Sequence, residues 1–139
     1  MKSKADYVRD WIRKAASDSK IARGEMATAE PAADAVCFHF QQAAEKWLKA
    51  WLNWAEVAFR PTHNIEVLLA ACEQDDPSFA ALREAEALTP YAVEIRYADD
   101  FYMPTQMEME RASTLADRVE RFVSAKLRAA GLAPPAGRH

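Results

Sequence analysis

The stretch VCFHFQQAAEKWLKAWLNWAEVA, Val36–Ala58, holds no glycine or proline and returns to an apolar side chain every three or four residues. On a repeat of 3.6 residues, Val36, Phe40, Ala44, Trp47, Trp51, Ala55 and Ala58 share one stripe, flanked by Leu48. His39, Gln42, Lys46, Lys49 and Asn53 gather on roughly the opposite side. The pattern predicts a long amphipathic helix from about Ala32 to Ala58. Pro61 closes this segment, because it pushes Arg60 away from helical angles.

The same period extends outward in both directions. Upstream, a helix is expected from about Lys4 to Ala22, with Tyr7, Val8, Trp11, Ile12, Ala15, Ser19 and Ala22 on its inner face and Gly24 as its stop. Asp18 projects onto that apolar face, where a carboxylate needs a partner or an opening to water. Downstream, Thr62 is read as the N-cap of a short helix from Asn64 to about Glu73, which turns Ile65, Leu68, Leu69 and Cys72 inward. Asp76 and Pro77 then open a fourth helix carrying Phe79, Leu82, Leu88, Tyr91, Ala92 and Ile95. Thr105 and Glu108 form a capping-box pattern ahead of the last helix, whose core row is Leu115, Ala116, Val119, Phe122, Val123 and Leu127. No window alternates with period two. The expectation is an all-α, five-helix antiparallel bundle, one domain over residues 4–130, with residues 131–139 as a disordered tail.

Composition narrows the function. With 139 residues, half of them apolar, the chain suits one core of ordinary size. A net charge of −3 argues against a broad cationic surface for nucleic acid. Cys37 and Cys72 sit inside apolar helical patterns and read as small buried hydrophobes in a reducing compartment. No run is long and apolar enough for a bilayer, and the N-terminus lacks a signal-peptide core, so a cytoplasmic protein without a membrane partner is expected. A phosphate loop, paired-cysteine zinc spacing and a nucleophile elbow are all missing from the sequence. His39, His63 and His139 are dispersed, so neither a metal nor another cofactor is expected.

Two groups of residues carry the remaining chemistry. The stripe His39, Gln42, Lys46, Lys49 and Asn53 is either a mildly cationic wall for a phosphate or base edge, or a solvated helix face. Trp11, Trp47 and Trp51 fall on core stripes, whereas Trp54 lies at an edge that would suit a subunit interface. The second group is Arg60 and His63, in the connection that follows the long helix.

The order of these elements resembles the HEPN family, the helical domains named for higher eukaryotes and prokaryotes nucleotide-binding. The resemblance rests on His39, Gln41, Gln42, Glu45, Lys46 and Lys49, then Thr62-His63 with Leu68-Leu69, and Leu88-Thr89, Tyr91 and Arg96-Tyr97. The opening DWIRKAASDSKIAR matches the family's first helix, with Asp18 in its acidic position, so that the likeness spans about Lys4 to Lys126. It implies a homodimer and offers several roles: a nucleotide-binding module, the partner of a small nucleotidyltransferase in a toxin–antitoxin-like pair, or a metal-independent ribonuclease. The family's nuclease pair is an arginine followed, after four to six arbitrary residues, by a histidine. No histidine here has that spacing, and Arg60 and His63 are too close to supply it. A ribonuclease toxin would instead need His63 as base with Arg60 or Arg96 as the cation for developing phosphorane charge. In the plainer reading His63 is a first-turn residue of the third helix, and Arg96 pairs with an acid such as Asp18, Glu94 or Asp99. The sequence therefore favours a nucleotide-binding or nucleotidyltransferase-associated module, with the ribonuclease and a protein-binding scaffold without catalysis as alternatives.

Overall fold

A computed structural model describes residues 1–92 and 102–132. Among them are four α-helices, α1 (Lys4–Met26), α2 (Ala33–Trp54), α3 (Ile65–Asp75) and α4 (Gln106–Ala129), and a 3-10 helix, Pro77–Ala92, between α3 and α4. No strand occurs among the described residues. The architecture is the expected all-α bundle. Ile95, Arg96, Tyr97 and the tail from residue 133, each the subject of an expectation above, lie outside the described residues.

The long second helix is the centre of the fold. Fifteen of its 22 residues are buried, so it meets neighbours on nearly every side rather than on one stripe. Val36, Phe40, Ala44, Trp47, Leu48 and Trp51 enter the core as the period predicts. The polar residues Gln41, Gln42, Glu45 and Lys49 are buried as well. α1 runs antiparallel to α2, since Trp11 meets Asn53 at one end while Asp18 meets His39 and Lys46 further along. Phe79 of the 3-10 helix packs between Trp51 and Phe122, joining α2 to α4.

Several boundaries differ from the expectation, each for a local reason. α1 continues through Gly24 to Met26 and stops where Ala27 N–H donates to Arg23 O, Thr28 N–H donates to Glu25 O at 3.1 Å, and the Thr28 hydroxyl donates to that same carbonyl at 2.7 Å. α2 ends at Trp54, four residues short of Ala58. There Glu56 takes a left-handed φ of 58° and Val57 N–H returns to Leu52 O at 2.9 Å. This is a Schellman ending without the usual glycine, which removes its sequence signal. α4 ends the same way with Gly131 at φ 108° and Leu132 N–H on Leu127 O at 2.9 Å. Leu132 is buried against the core. The N-cap of α3 is Asn64, whose side chain accepts from Val67 N–H, while Thr62 accepts from Asn64 N–H. His63 therefore precedes the cap and is not a first-turn residue. The fourth helix is a 3-10 helix that contains Pro90, which has no N–H to continue an α-helical ladder. Tyr7 is 54 % exposed because the inner face of α1 centres on Val8, Ala15, Ser19 and Ala22 and leaves Tyr7 outside its edge. The capping boxes are present at Ser3 with Asp6 and at Thr105 with Glu108.

Candidate functional site

Two buried carboxylates organise the polar residues of α2. The first, Asp18, comes from α1. Its Oδ1 meets Nδ1 of His39 at 2.8 Å, and its Oδ2 accepts from Lys46 Nζ. That answers what Asp18 does on an apolar face: it is shared between a histidine and a lysine that lie seven residues, two turns, apart on α2. Beside this centre Trp11 donates its indole N–H to Asn53 Oδ1 at 2.6 Å. The stripe is thus neither an open wall nor a solvated face. His39, Lys46 and Asn53, half-buried, and Lys49, buried, form the polar half of the α1–α2 contact, while Gln42 is buried against Gln41 and Glu45 of α2 itself.

The second carboxylate, Glu45, stands one side further round α2 and is 1 % exposed. Lys49 Nζ donates to Oε2 at 2.9 Å. Gln41 and Gln42 direct amide donors at Oε1 at 3.2 and 3.4 Å. His63 Nδ1 approaches both oxygens, at 3.0 and 3.2 Å. Gln41 uses its second amide hydrogen on the backbone carbonyl of His63 at 2.9 Å and accepts from Gln42 at 2.6 Å. The α2–α3 connection is therefore held at one residue from two directions, through its ring and through its backbone.

His63 differs from every other member of these centres because its side chain is 64 % exposed. The ring is anchored at Nδ1 by a buried acceptor, and its other nitrogen is the one left for a ligand. Arg60 is exposed in the same connection and makes no ion pair among the described residues. Lys46 and Lys49 are both neutralised internally, by Asp18 and Glu45. Among the described residues of the α2–α3 connection, the cation left without an ion pair is Arg60. Lys49 also reaches the Trp11 ring, 5.4 Å from its centroid, so contacts run without a break from His63 through Glu45 and Lys49 to Trp11. Trp54, expected at a subunit edge, is half-buried with the Lys4 ammonium 4.5 Å over its ring.

Sequence reasoning placed His63 and Arg60 on the list of candidates but gave no role to Gln41 or Glu45. The signal was present: Gln41, Glu45 and Lys49 form an i, i+4 row beside the apolar stripe, and a buried row of that kind needs partners from another element.

Elsewhere the chemistry is structural. Burial pushes both the Cys37 and the Cys72 thiol up to about 12, which leaves neither as a thiolate near neutral pH. Glu108 accepts from the hydroxyls of Tyr102 and Tyr91 and from Thr105 N–H, which holds its carboxyl below the usual range. Burial and then that same hydrogen bond raise the Tyr91 phenol. Among the described residues no cluster of three His, Cys, Asp or Glu side chains has the geometry of a metal site, and no helix is long and apolar enough to cross a membrane.

Comparison with known proteins bears on the fold. The sequence pattern of the HEPN domain matches residues 8–128. Among solved structures, that of an archaeal HEPN homologue superposes with a TM-score of 0.68 at 23 % sequence identity, covering 91 % of this chain and 99 % of that one. No curated protein matches the chain.

Proposed function

The chain belongs to the HEPN domain family, and from that premise we propose that it is a nucleotide-binding module whose ligand meets the α2–α3 connection at His63 and Arg60. The observation that carries this reading is the state of His63: an exposed imidazole fixed at Nδ1 by the fully buried Glu45. A surface histidine with no task has no need of a buried carboxylate and two glutamines behind it, because each buried polar group must be matched or it costs stability. Arg60, exposed and without an ion pair among the described residues, supplies the charge for a phosphate. Lys46 and Lys49, with His39 and Asn53, join α1 to α2, and Gln42 supports Gln41 and Glu45 within α2. Within this reading the protein works as a homodimer and as the partner of a small nucleotidyltransferase in a toxin–antitoxin-like pair. Calorimetric titration with AMP or ATP tests it. Binding that weakens at least about tenfold in both His63→Ala and Arg60→Ala is expected. An absence of heat with the parent protein would overturn the reading.

A second reading is favoured by the same carboxylate-held imidazole, which is the form a general base takes. Here His63 would activate a 2′-hydroxyl and Arg60 would stabilise phosphorane charge, giving a metal-independent ribonuclease. Incubation with single-stranded and structured RNA in EDTA separates the two. Cleavage by the parent and not by His63→Ala selects the nuclease, and binding without cleavage selects the module.

A further inference from the structure

The polar neighbours of Glu45 are all donors: Lys49 Nζ, the Gln41 and Gln42 amides, and a ring nitrogen of His63. A carboxylate surrounded in this way acts only as an acceptor. The hydrogen of the His63 contact must then sit on Nδ1. In the neutral ring this leaves Nε2 without a hydrogen, so it presents a lone pair to solvent. Gln41 reinforces the choice, since its two amide hydrogens are spent on Glu45 Oε1 and the His63 carbonyl and its own oxygen is spent on Gln42. Gln41 makes no hydrogen bond to the ring among the described residues, and its bond to the His63 carbonyl ties the connection to α2 beside Glu45.

We propose that Glu45 is a positioning residue that fixes the Nδ1–H tautomer of His63, and that the exposed Nε2 therefore selects a hydrogen-bond donor on the ligand, a sugar hydroxyl, rather than a phosphate oxygen. This rests on the reading of His63 as the ligand-facing group. An ionised phosphate offers only acceptors and gains nothing from a bare Nε2, so it goes to Arg60, whose guanidinium carries donors alone. The two exposed residues thus divide a nucleotide between them, with Arg60 on the phosphate and His63 on the ribose.

The first test needs no ligand. Long-range proton–nitrogen NMR of the labelled full chain reads the ring tautomer, with the His63 signals assigned by their loss in His63→Ala. The Nδ1–H form is expected, and an Nε2–H form would overturn the proposal. The control variant is the double substitution Glu45→Leu with Lys49→Leu, which removes the buried pair together and avoids stranding one charge. In it the tautomer bias should disappear while the amide spectrum of α2 remains folded. A retained Nδ1–H form would show that Glu45 does not set it. The second test compares AMP with 2′,3′-dideoxy-AMP. Loss of both hydroxyls should weaken binding to the parent about tenfold and leave binding to the double variant unchanged. Equal affinity of the parent for the two would overturn the hydroxyl assignment. If AMP itself fails to bind, the nucleotide reading and the hydroxyl assignment fall together, whereas the tautomer still decides the role of Glu45.

Discussion

Asp18 and Glu45 are two versions of one device. Each is a buried carboxylate that joins a lysine of α2 to a histidine through Nδ1. At Asp18 both partners belong to α2 and the carboxylate to α1, so the pair of contacts ties two helices together. His39 and Lys46 retain only 26 % and 19 % side-chain exposure. At Glu45 the carboxylate and the lysine share one helix and are more deeply buried, but the histidine comes from a connection and stays open to solvent. The difference teaches that a carboxylate–imidazole contact does not by itself mark a site. What separates the two is how far the ring is open to solvent, 26 % at His39 against 64 % at His63.

That comparison can be broken by substitution. The largest effect is expected for Glu45→Ala, which strands Lys49 in the interior and should cost about 3–5 kcal/mol in chemical denaturation. Asp18→Ala should cost less, about 1–3 kcal/mol, because Lys46 can extend towards water. An equal cost for both would mean that the two centres do not differ in burial as described.

The histidines should rank in the opposite sense to their expected importance for binding. His39→Ala removes a half-buried charged contact between helices and should lower stability by about 1–2 kcal/mol. His63→Ala removes an exposed ring and should change stability by no more than about 0.5 kcal/mol while ligand binding is lost. A His63→Ala protein destabilised as much as His39→Ala would make His63 a structural clip like its counterpart.

The smallest effect concerns acid, and it arises at a third carboxylate, outside both centres. The Lys126 ammonium, followed by Ser78, holds Asp76 down to about 2, below its ordinary value. Because the folded value is depressed, its contribution is complete above roughly pH 4 and disappears as pH falls towards 2. Asp76→Asn should therefore narrow the stability difference between pH 5 and pH 2, measured by urea midpoint. An unchanged difference would show that the Asp76–Lys126 contact contributes nothing to the acid sensitivity.

Much of this molecule was legible as sequence. The apolar period of Val36–Trp51 fixes α2, the Thr105–Glu108 box fixes the start of α4, and the row Leu115–Leu127 fixes the face that α4 buries. These signals are local, because helical spacing and caps depend on neighbours within one or two turns. Endings were less legible. Gly24 looks like a stop yet lies within α1, and Glu56 ends α2 in the conformation that glycine normally marks. The surroundings of the polar side of α2 were illegible for a different reason. Periodicity assigns His39, Gln42, Lys46, Lys49 and Asn53 to one face but cannot say what covers that face. α1 covers it, bringing Asp18 and Trp11 to residues 21 to 42 positions away. The pairing of His63 with Glu45 is likewise separated by 18 positions and depends on how the connection folds back over α2. Composition, helical period and capping depend on short-range geometry, so the sequence alone determined the helices and the family. Which polar groups are buried, neutralised or left facing solvent depends on contacts between distant segments, and only the tertiary structure decided that.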